Sequence, residues 1–174
     1  MTALVRHTLR ALTMTSTDIE MTLRRLDRAL ADNAMQQPNE RFSTVLYGIV
    51  AINAGDVRVD LASGGHPGPV IVRADGTTEM PELTGSLLGV LPKVVVDRRH
   101  IHLRPGDELV LVTDGATEAR SGGKMFGIEG VAAAAANAHV QGADTATAVE
   151  TAVRDYCDGH LNDDLAVLVL RRDP

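Results

Sequence analysis

Residues 108–113 read ELVLVT and residues 165–170 read LAVLVL, two short apolar runs rich in branched side chains. Runs of this length and composition are typical of strands whose two faces both meet apolar neighbours. We therefore predict a central strand at 108–113 and a final buried strand at 165–170.

Further strands and tight turns are predicted before the first of these runs. The pattern predicts a buried strand at 42–52, a hairpin turn at 53–56, a partner strand at 57–63, and further strands at 69–73 and 94–103. Most of these strands follow one another through short turns, which favours antiparallel pairing.

Helical periodicity covers both ends of the chain. Helices are predicted at 2–14, through the stripe Ile19, Leu23, Leu26 and Leu30, and at 128–140 and 143–156, with a loop at 33–41. Helices before and after a run of hairpins indicate an α+β fold, mostly antiparallel. A length of 174 residues predicts one domain, spanning 1–174.

The composition excludes several classes of protein. The chain is 44% hydrophobic and 23% charged, with 2% aromatics and a net charge of −6. These values argue against a disordered tail and against a nucleic-acid partner. One cysteine allows no internal disulfide, and no apolar run is long enough to cross a membrane. We expect a cytoplasmic protein without a membrane partner.

Asp114 is the first candidate for chemistry, because it follows the apolar run 108–113 directly in the sequence Thr113-Asp114-Gly115. An acid at the tip of a central strand is held rigidly and is able to point into a cleft. The alternative is that Asp-Gly makes a tight turn and nothing more.

A second acidic segment, Asn162-Asp163-Asp164, immediately precedes the run 165–170. Adjacent carboxylates repel each other unless they are solvated or bind a cation, so a solvated loop is the alternative here. If the two apolar strands are antiparallel neighbours, Asp114 and Asp163 share one rim of the sheet. Clustered carboxylates suit hard cations such as Mg²⁺ or Mn²⁺.

The remaining candidates have weaker signals. In Ser63-Gly64-Gly65-His66-Pro67, backbone N–H groups could hold an anion, but we favour a tight turn with a structural His66. His100 and His102 alternate on one strand face without a third ligand, which favours a surface role. Cys157 lies near a predicted helix end with no obvious His or Lys partner, so we expect a packed thiol rather than a nucleophile.

An ordered series of segments resembles one known family. The segments are residues 41–76, LLGVLP (87–92), LRPGDELVLVTDGATEAR (103–120), MFGIEG (125–130) and NDDLAVLVL (162–170). The series resembles the metal-dependent PPM-type serine/threonine phosphatases, in the bacterial branch of the stage II sporulation protein E and the sigma-factor regulatory phosphatases.

The resemblance implies a two-sheet β-sandwich flanked by helices and a centre of two Mn²⁺ or Mg²⁺ ions. It also implies hydrolysis of phosphoserine or phosphothreonine on a regulatory protein, such as an anti-sigma-factor antagonist, by a metal-activated water. Asp114 and Asp163 match metal ligands of the family. Asp164, Gly115 and His66 are candidate supporting residues.

The chain departs from the family pattern at its start. The family begins with Gly-Gly-Asp and Asp-x-x-Gly-x-Gly motifs that supply further metal ligands, whereas the first 17 residues here contain no acid. We expect a domain that lacks its first strands and exposes sheet edges open to self-association. The alternative function is a catalytically inactive module that binds a regulatory protein.

Overall fold

A computed structural model describes residues 2–36 and 42–173, which group into two compact units. The first unit comprises Met1–Ile52, Arg58–His66 and Leu83–Ile101. The second comprises Asn53–Val57, Pro67–Glu82 and His102–Pro174. Each unit is assembled from three separate segments of the chain, and a single domain over 1–174 stays a prediction.

Helices and antiparallel strands alternate in blocks along the described residues. Their order is α1 (Thr2–Thr13), α2 (Ile19–Gln36), β1 (Val45–Asn53), β2 (Asp56–Gly64), β3 (Val70–Val72), β4 (Thr78–Glu79), β5 (Asp97–Leu103), β6 (Glu108–Val112), α3 (Asp114–Thr117), β7 (Arg120–Ser121), β8 (Lys124–Met125), α4 (Gly127–Gln141), α5 (Thr145–Tyr156) and β9 (Val167–Arg171). The predicted α+β class is confirmed, and most predicted elements lie within a few residues of their observed bounds.

The first unit packs the helix pair α1 and α2 against a three-stranded sheet of order β1-β2-β5. The predicted stripe of α2 is fully buried in this core, together with Val45, Ala62, Leu88 and Val94. The hairpin between β1 and β2 turns at Ala54 and Gly55, which both have positive φ. Two positive-φ residues give the turn the twist that antiparallel strands need.

The second unit contains a four-stranded sheet of order β4-β3-β6-β9, with every pair antiparallel. Val110 and Val112 of β6 pack against α4 and α5, through Val131, Ala135 and Val153. Strand β6 has a neighbour on each side and is buried at four of its five positions, so the prediction of a central strand is confirmed.

A buried carboxylate lies at the beginning of β6. The Glu108 side chain is 0% exposed. It accepts hydrogen bonds from Thr145 Oγ1 at 2.7 Å and from the Arg171 guanidinium, and His139 Nδ1 lies 3.2 Å from it. Burial raises the pKa of Glu108, but the contacts with Thr145, Arg171 and His139 outweigh burial and leave that pKa below its usual value.

Three sequence predictions need correction. The segment 42–52 is not a buried strand: β1 begins at Val45 and is an edge strand, with Ile52 70% exposed. Strand β9 is also an edge strand, and Leu168 on its outer face is 59% exposed. In the predicted loop 33–41, residues 33–36 continue α2, since the sequence Asn-Ala-Met-Gln tolerates a helix, and 37–41 lie outside the described residues.

Four short elements were not predicted from the sequence. They are α3, β4 and the two strands of the hairpin β7–β8, each of four residues or fewer. Elements of this length show no measurable periodicity, so pattern reasoning does not detect them. No helix among the described residues is long and apolar enough to cross a membrane.

Replacing Glu108 by Gln should lower the free energy of unfolding by about 1–3 kcal/mol near neutral pH, because a buried charged acceptor is lost. The pKa of Glu108 is lower in the folded chain than in the unfolded chain. The charge therefore stabilises the fold above the usual glutamate pKa of about 4.3, and this contribution disappears as the pH falls through the folded value. Urea unfolding of both proteins at a series of pH values measures the difference.

Glu150→Gln is the matched control for that measurement. Glu150 forms an exposed i,i+4 pair with Arg154, so its loss should cost about 0.5 kcal/mol or less. A Glu108→Gln difference that stays constant from neutral pH into acid would contradict the assigned role of the Glu108 charge.

The edge strand β1 should drive self-association. Ile52→Lys should weaken the association of two copies about tenfold, because a buried Ile contributes about 1.5–3 kcal/mol and a Lys blocks edge pairing. Sedimentation velocity over a range of concentrations measures this. Val140→Lys, which changes a 72% exposed residue at the end of α4, is the control. A wild-type chain that remains monomeric at all concentrations would refute the expectation.

Candidate functional site

Asp114 lies where the central strand β6 ends and the short helix α3 begins. Its Oδ1 accepts a hydrogen bond from the N–H of Gly115 at 3.1 Å, which is a contact with its own neighbour in the chain. The carboxylate is half-buried. The end of strand β6 therefore places Asp114 at a rim of the sheet, where, within the described part of the chain, its carboxylate is hydrogen bonded only locally.

The second acidic segment lies at the same rim because β6 and β9 are antiparallel neighbours. Val112 is paired with Val167, so the residues after Val112 run alongside the residues before Val167. The Asp163 Oδ1 accepts a hydrogen bond from the N–H of Asp164 at 2.7 Å, again a local contact. The condition set for a shared rim, antiparallel pairing of the two strands, is met, and the role of Asp114 and Asp163 as metal ligands stays a prediction.

Hydrogen bonds of Thr113 hold the two acidic segments together. The Thr113 hydroxyl donates to the carbonyl of Asp164 at 2.7 Å and accepts from the N–H of Ala166 at 2.9 Å. Its backbone N–H also donates to the carbonyl of Ala166 at 3.2 Å. Three hydrogen bonds from one residue fix the separation of the segments, each contributing about 0.5–1.5 kcal/mol.

Gly115 allows the two segments to approach within backbone contact. A Cβ atom built at Gly115 would lie 2.4 Å from the carbonyl oxygen of Asp164 and 3.1 Å from that of Asp163. No side chain fits at that distance. Gly115 therefore has a supporting role that is steric: its lack of a side chain sets how closely Asp114 and Asp163 are brought together.

A cleft of about 160 Å³ opens beside this rim. Its lining residues are Gly115, Glu118, Ala119, Arg120, Asn162 and Asp163. The cleft contains one of the two predicted acids, Asp163, and a cation, Arg120. It belongs entirely to the second unit.

His66 belongs to the first unit, where its backbone is hydrogen bonded to Ser63. The backbone N–H of His66 donates to Ser63 Oγ at 3.1 Å, and Ser63 Oγ donates to the carbonyl of His66 at 3.0 Å. A Cβ at Gly64 would lie 2.7 Å from Leu88, and one at Gly65 3.0 Å from the N of Leu87. These close approaches leave no room for a side chain at either position and so explain why both residues are glycine. This favours the turn interpretation over an anion site.

The other weak candidates have structural partners. His100 Nδ1 pairs with Asp60, and His102 Nε2 lies 2.5 Å from Asp56. Each histidine therefore has a carboxylate on the neighbouring strand. Cys157 is buried in the core of the second unit, and its Sγ lies 3.6 Å from the carbonyl of Arg154. The predictions of surface histidines and a packed thiol agree with these contacts.

The residues of this site do not fit a centre of two metal ions by themselves. Within 2–36 and 42–173, no group of three or more His, Cys, Asp or Glu side chains is placed to hold a metal ion. Mg²⁺ bound through one or two carboxylates relies on water and substrate phosphates for its remaining ligands. Asp114 and Asp163 therefore suit at most one loosely held ion.

The sequence pattern does not identify two residues of the site, Thr113 and Arg120. Thr113 is bonded to a segment about 50 residues away, and such hydrogen bonds leave no local pattern. Gly115 is among the predicted supporting residues, but its close contact with Asp164 is visible only in the fold. Arg120 was overlooked because it precedes a two-residue turn, Gly122-Gly123, in a hairpin too short to predict. The Gly-Gly pair between Ser121 and Lys124 is the one signal that could have indicated this hairpin.

The chain matches the family model described as stage II sporulation protein E over residues 1–173. Among characterised proteins it is similar to Protein IcfG from Synechocystis sp., with 29% identity over 85 residues. That match covers 49% of this chain and 13% of IcfG. The chain thus spans a small part of this relative.

Solved structures show the same fold. The RsbU and RsbW domains of Rv1364c from Mycobacterium tuberculosis align with a TM-score of 0.75 and 23% identity, over 97% of this chain and 46% of that one. The PP2C phosphatase domain of SpoIIE from Bacillus subtilis, with a fragment of its regulatory domain, aligns with a TM-score of 0.73 and 16% identity, over 97% and 49%. The predicted fold class, helices with antiparallel sheets, is that of the PP2C-type phosphatases.

A third structure is the catalytic domain of the serine/threonine phosphatase PstP, in complex with two manganese ions. It aligns with a TM-score of 0.65 and 18% identity, over 96% of this chain and 78% of that one. At these identities the likeness shows the fold, and the ions are a property of PstP.

Gly115→Ala should destabilise the second unit by about 1–3 kcal/mol, because the new methyl group meets backbone atoms that have no room to move. Urea unfolding measures the loss. Gly48→Ala is the matched control: its Cβ meets the end of the Leu61 side chain at 2.7 Å, and a side chain adjusts more cheaply than backbone. Equal stability of Gly115→Ala and the wild type would contradict the backbone contact.

Proposed function

The chain belongs to the stage II sporulation protein E family, and from this premise we propose that it is a protein serine/threonine phosphatase domain. Its substrate is a phosphorylated regulatory protein of the anti-sigma-factor antagonist type. Removal of the phosphate takes away about 1.5 to 2 negative charges and so changes which partner that protein binds. The compartment is the cytoplasm.

The observation that carries the proposal is the pairing of β6 with β9. It brings two acids from distant parts of the sequence to one rim, beside a cleft lined by Asp163. Among residues 2–36 and 42–173, each carboxylate accepts a hydrogen bond only from the next residue along the chain. Both therefore remain available to a divalent cation such as Mn²⁺ or Mg²⁺, for which carboxylate oxygens are the preferred ligands.

The domain contributes Asp114 and Asp163 to the metal centre, with Asp164 and Gly115 in support. Asp164 offers its carbonyl to Thr113, and Gly115 provides the close approach. A centre of two ions needs more ligands than these two carboxylates. His66 has no assigned part in this centre, since its turn is accounted for by local packing.

A second candidate function is a module that binds a phosphorylated regulatory protein without hydrolysing it. The shortage of ligands favours it, because no group of three metal-binding side chains converges among the described residues. Such a module needs the cleft but not the ions. The two candidates differ in whether Mn²⁺ binding at Asp114 and Asp163 supports turnover.

Titration calorimetry with Mn²⁺ should show a dissociation constant of about 1 mM or weaker, because two carboxylates and water make a poor site. Asp114→Asn and Asp163→Asn should each abolish this binding. Hydrolysis of p-nitrophenyl phosphate by this chain should be very slow even with excess Mn²⁺, since two fixed ions are needed to position the water.

Asp155→Asn is the control, because Asp155 is an exposed acid on α5 away from the cleft lining. Slow turnover that requires Mn²⁺ and Asp114 supports the phosphatase. Metal binding without any turnover supports the binding module. Tight Mn²⁺ binding unaffected by either substitution would show that the metal site lies elsewhere.

A further inference from the structure

We infer that Arg120 is the residue that binds the phosphoryl group of the substrate, at the base of the hairpin β7–β8. The inference rests on the proposed function, because it takes the phosphoserine segment of a regulatory protein as the occupant of the cleft. It adds a cation to a site whose other charged residues are acids.

The charges of the residues that line the cleft identify Arg120 as the candidate for binding an anion. Among its lining residues, Glu118 and Asp163 carry negative charge and Arg120 alone carries positive charge. A phosphoryl dianion is repelled by both carboxylates. A guanidinium offers planar paired donors that match phosphate oxygens, which makes Arg120 the one charged side chain of this lining suited to an anion.

The Arg120 guanidinium is not engaged elsewhere in the described part of the chain. Six other arginines pair with carboxylates: Arg24 with Glu20, Arg73 with Asp107, Arg98 with Asp60, Arg99 with Asp97, Arg154 with Glu150 and Arg171 with Glu108. Arg120 is exposed, and no hydrogen bond or ion pair of its side chain is found among residues 2–36 and 42–173. Its donors are free to meet a ligand.

The base of the hairpin β7–β8 is held by hydrogen bonds and a ring contact, whereas its tip has open space around it. The Tyr156 hydroxyl donates to the carbonyls of Lys124 and Met125, at 3.2 and 3.3 Å. The N–H of Phe126 donates to the carbonyl of Ala119 at 2.8 Å, and the Phe126 ring packs edge-on against Tyr156 at 5.2 Å. These contacts flank Arg120 on both strands.

The strand register places Arg120 at the anchored end. Arg120 is paired with Met125, whose carbonyl accepts from Tyr156, whereas the tip is formed by Gly122 and Gly123 with positive φ and open space around them. The backbone of Arg120 therefore has a defined position, and its side chain lines the cleft.

The test compares binding of a fluorescein-labelled phosphoserine peptide with that of the same peptide carrying unmodified serine. Arg120→Ala should weaken phosphopeptide binding about tenfold, as expected for loss of a charge-assisted pair. Arg120→Lys should recover part of that loss, because it keeps the charge but not the paired donors. Fluorescence anisotropy measures all of these, and circular dichroism verifies that each variant is folded.

Arg25→Ala is the matched control, since Arg25 is an exposed arginine on α2, outside the cleft lining. It should leave phosphopeptide binding unchanged. Equal weakening by Arg25→Ala and Arg120→Ala would overturn the inference, because binding would then depend on net charge alone. An Arg120→Ala variant that binds as the wild type does, or a wild type that does not prefer the phosphopeptide, would also overturn it.

The outcome is independent of whether the chain is an enzyme. Hydrolysis of p-nitrophenyl phosphate tests the phosphatase proposal without a docked peptide. Turnover that needs Asp114, combined with no effect of Arg120→Ala on peptide binding, leaves the phosphatase standing and removes this inference. Arg120-dependent binding without turnover supports this inference and the binding module together.

Discussion

The register of β6 on β9 is the constraint on which the candidate site depends. Val112 opposite Val167 places the end of one strand beside the beginning of the other. Two acidic segments some fifty residues apart in sequence thereby reach one rim. A shift of one residue in this register would turn the side chains of β9 to the opposite face of the sheet and remove Val167 and Val169 from the core. The core packing of β9 and the position of the acids are therefore set by the same register.

Polar contacts at both ends of β6 maintain this register. At its beginning, the Arg171 guanidinium of β9 reaches the buried Glu108, directly across the strand pair. At its end, Thr113 is hydrogen bonded to the backbone of residues 164 and 166. A strand pair bonded at both ends resists slipping, because any slip would separate Arg171 from the buried Glu108 charge. The same contacts hold the two acidic segments at their rim.

The sequence predicts the parts of this arrangement that depend on residues close together in the chain. It does not predict the parts that depend on contacts between distant segments. Strands β6 and β9, and the acids next to them, are evident because apolar runs and Asp-Gly are local patterns. The exposure of β1 and β9 was not predicted, since an apolar run does not reveal whether a strand lies at the edge or the centre of a sheet. Thr113 and Gly115 acquire their roles from contacts with a segment that only the fold brings near, and Arg120 acquires its role from its place in the cleft lining.

The local bonding of the two acids supports a function for them beyond packing. Buried Glu108 and Asp107 accept hydrogen bonds from several elements, and replacing either would leave donors unpaired. Asp114 and Asp163, in contrast, accept from the next residue along the chain. Such a bond does little to hold the fold, and two like charges held at one rim cost free energy unless something binds them. Since the fold gains little from these carboxylates, their placement beside a cleft that Arg120 lines agrees with the proposed ligands, a divalent cation together with a phosphoryl group.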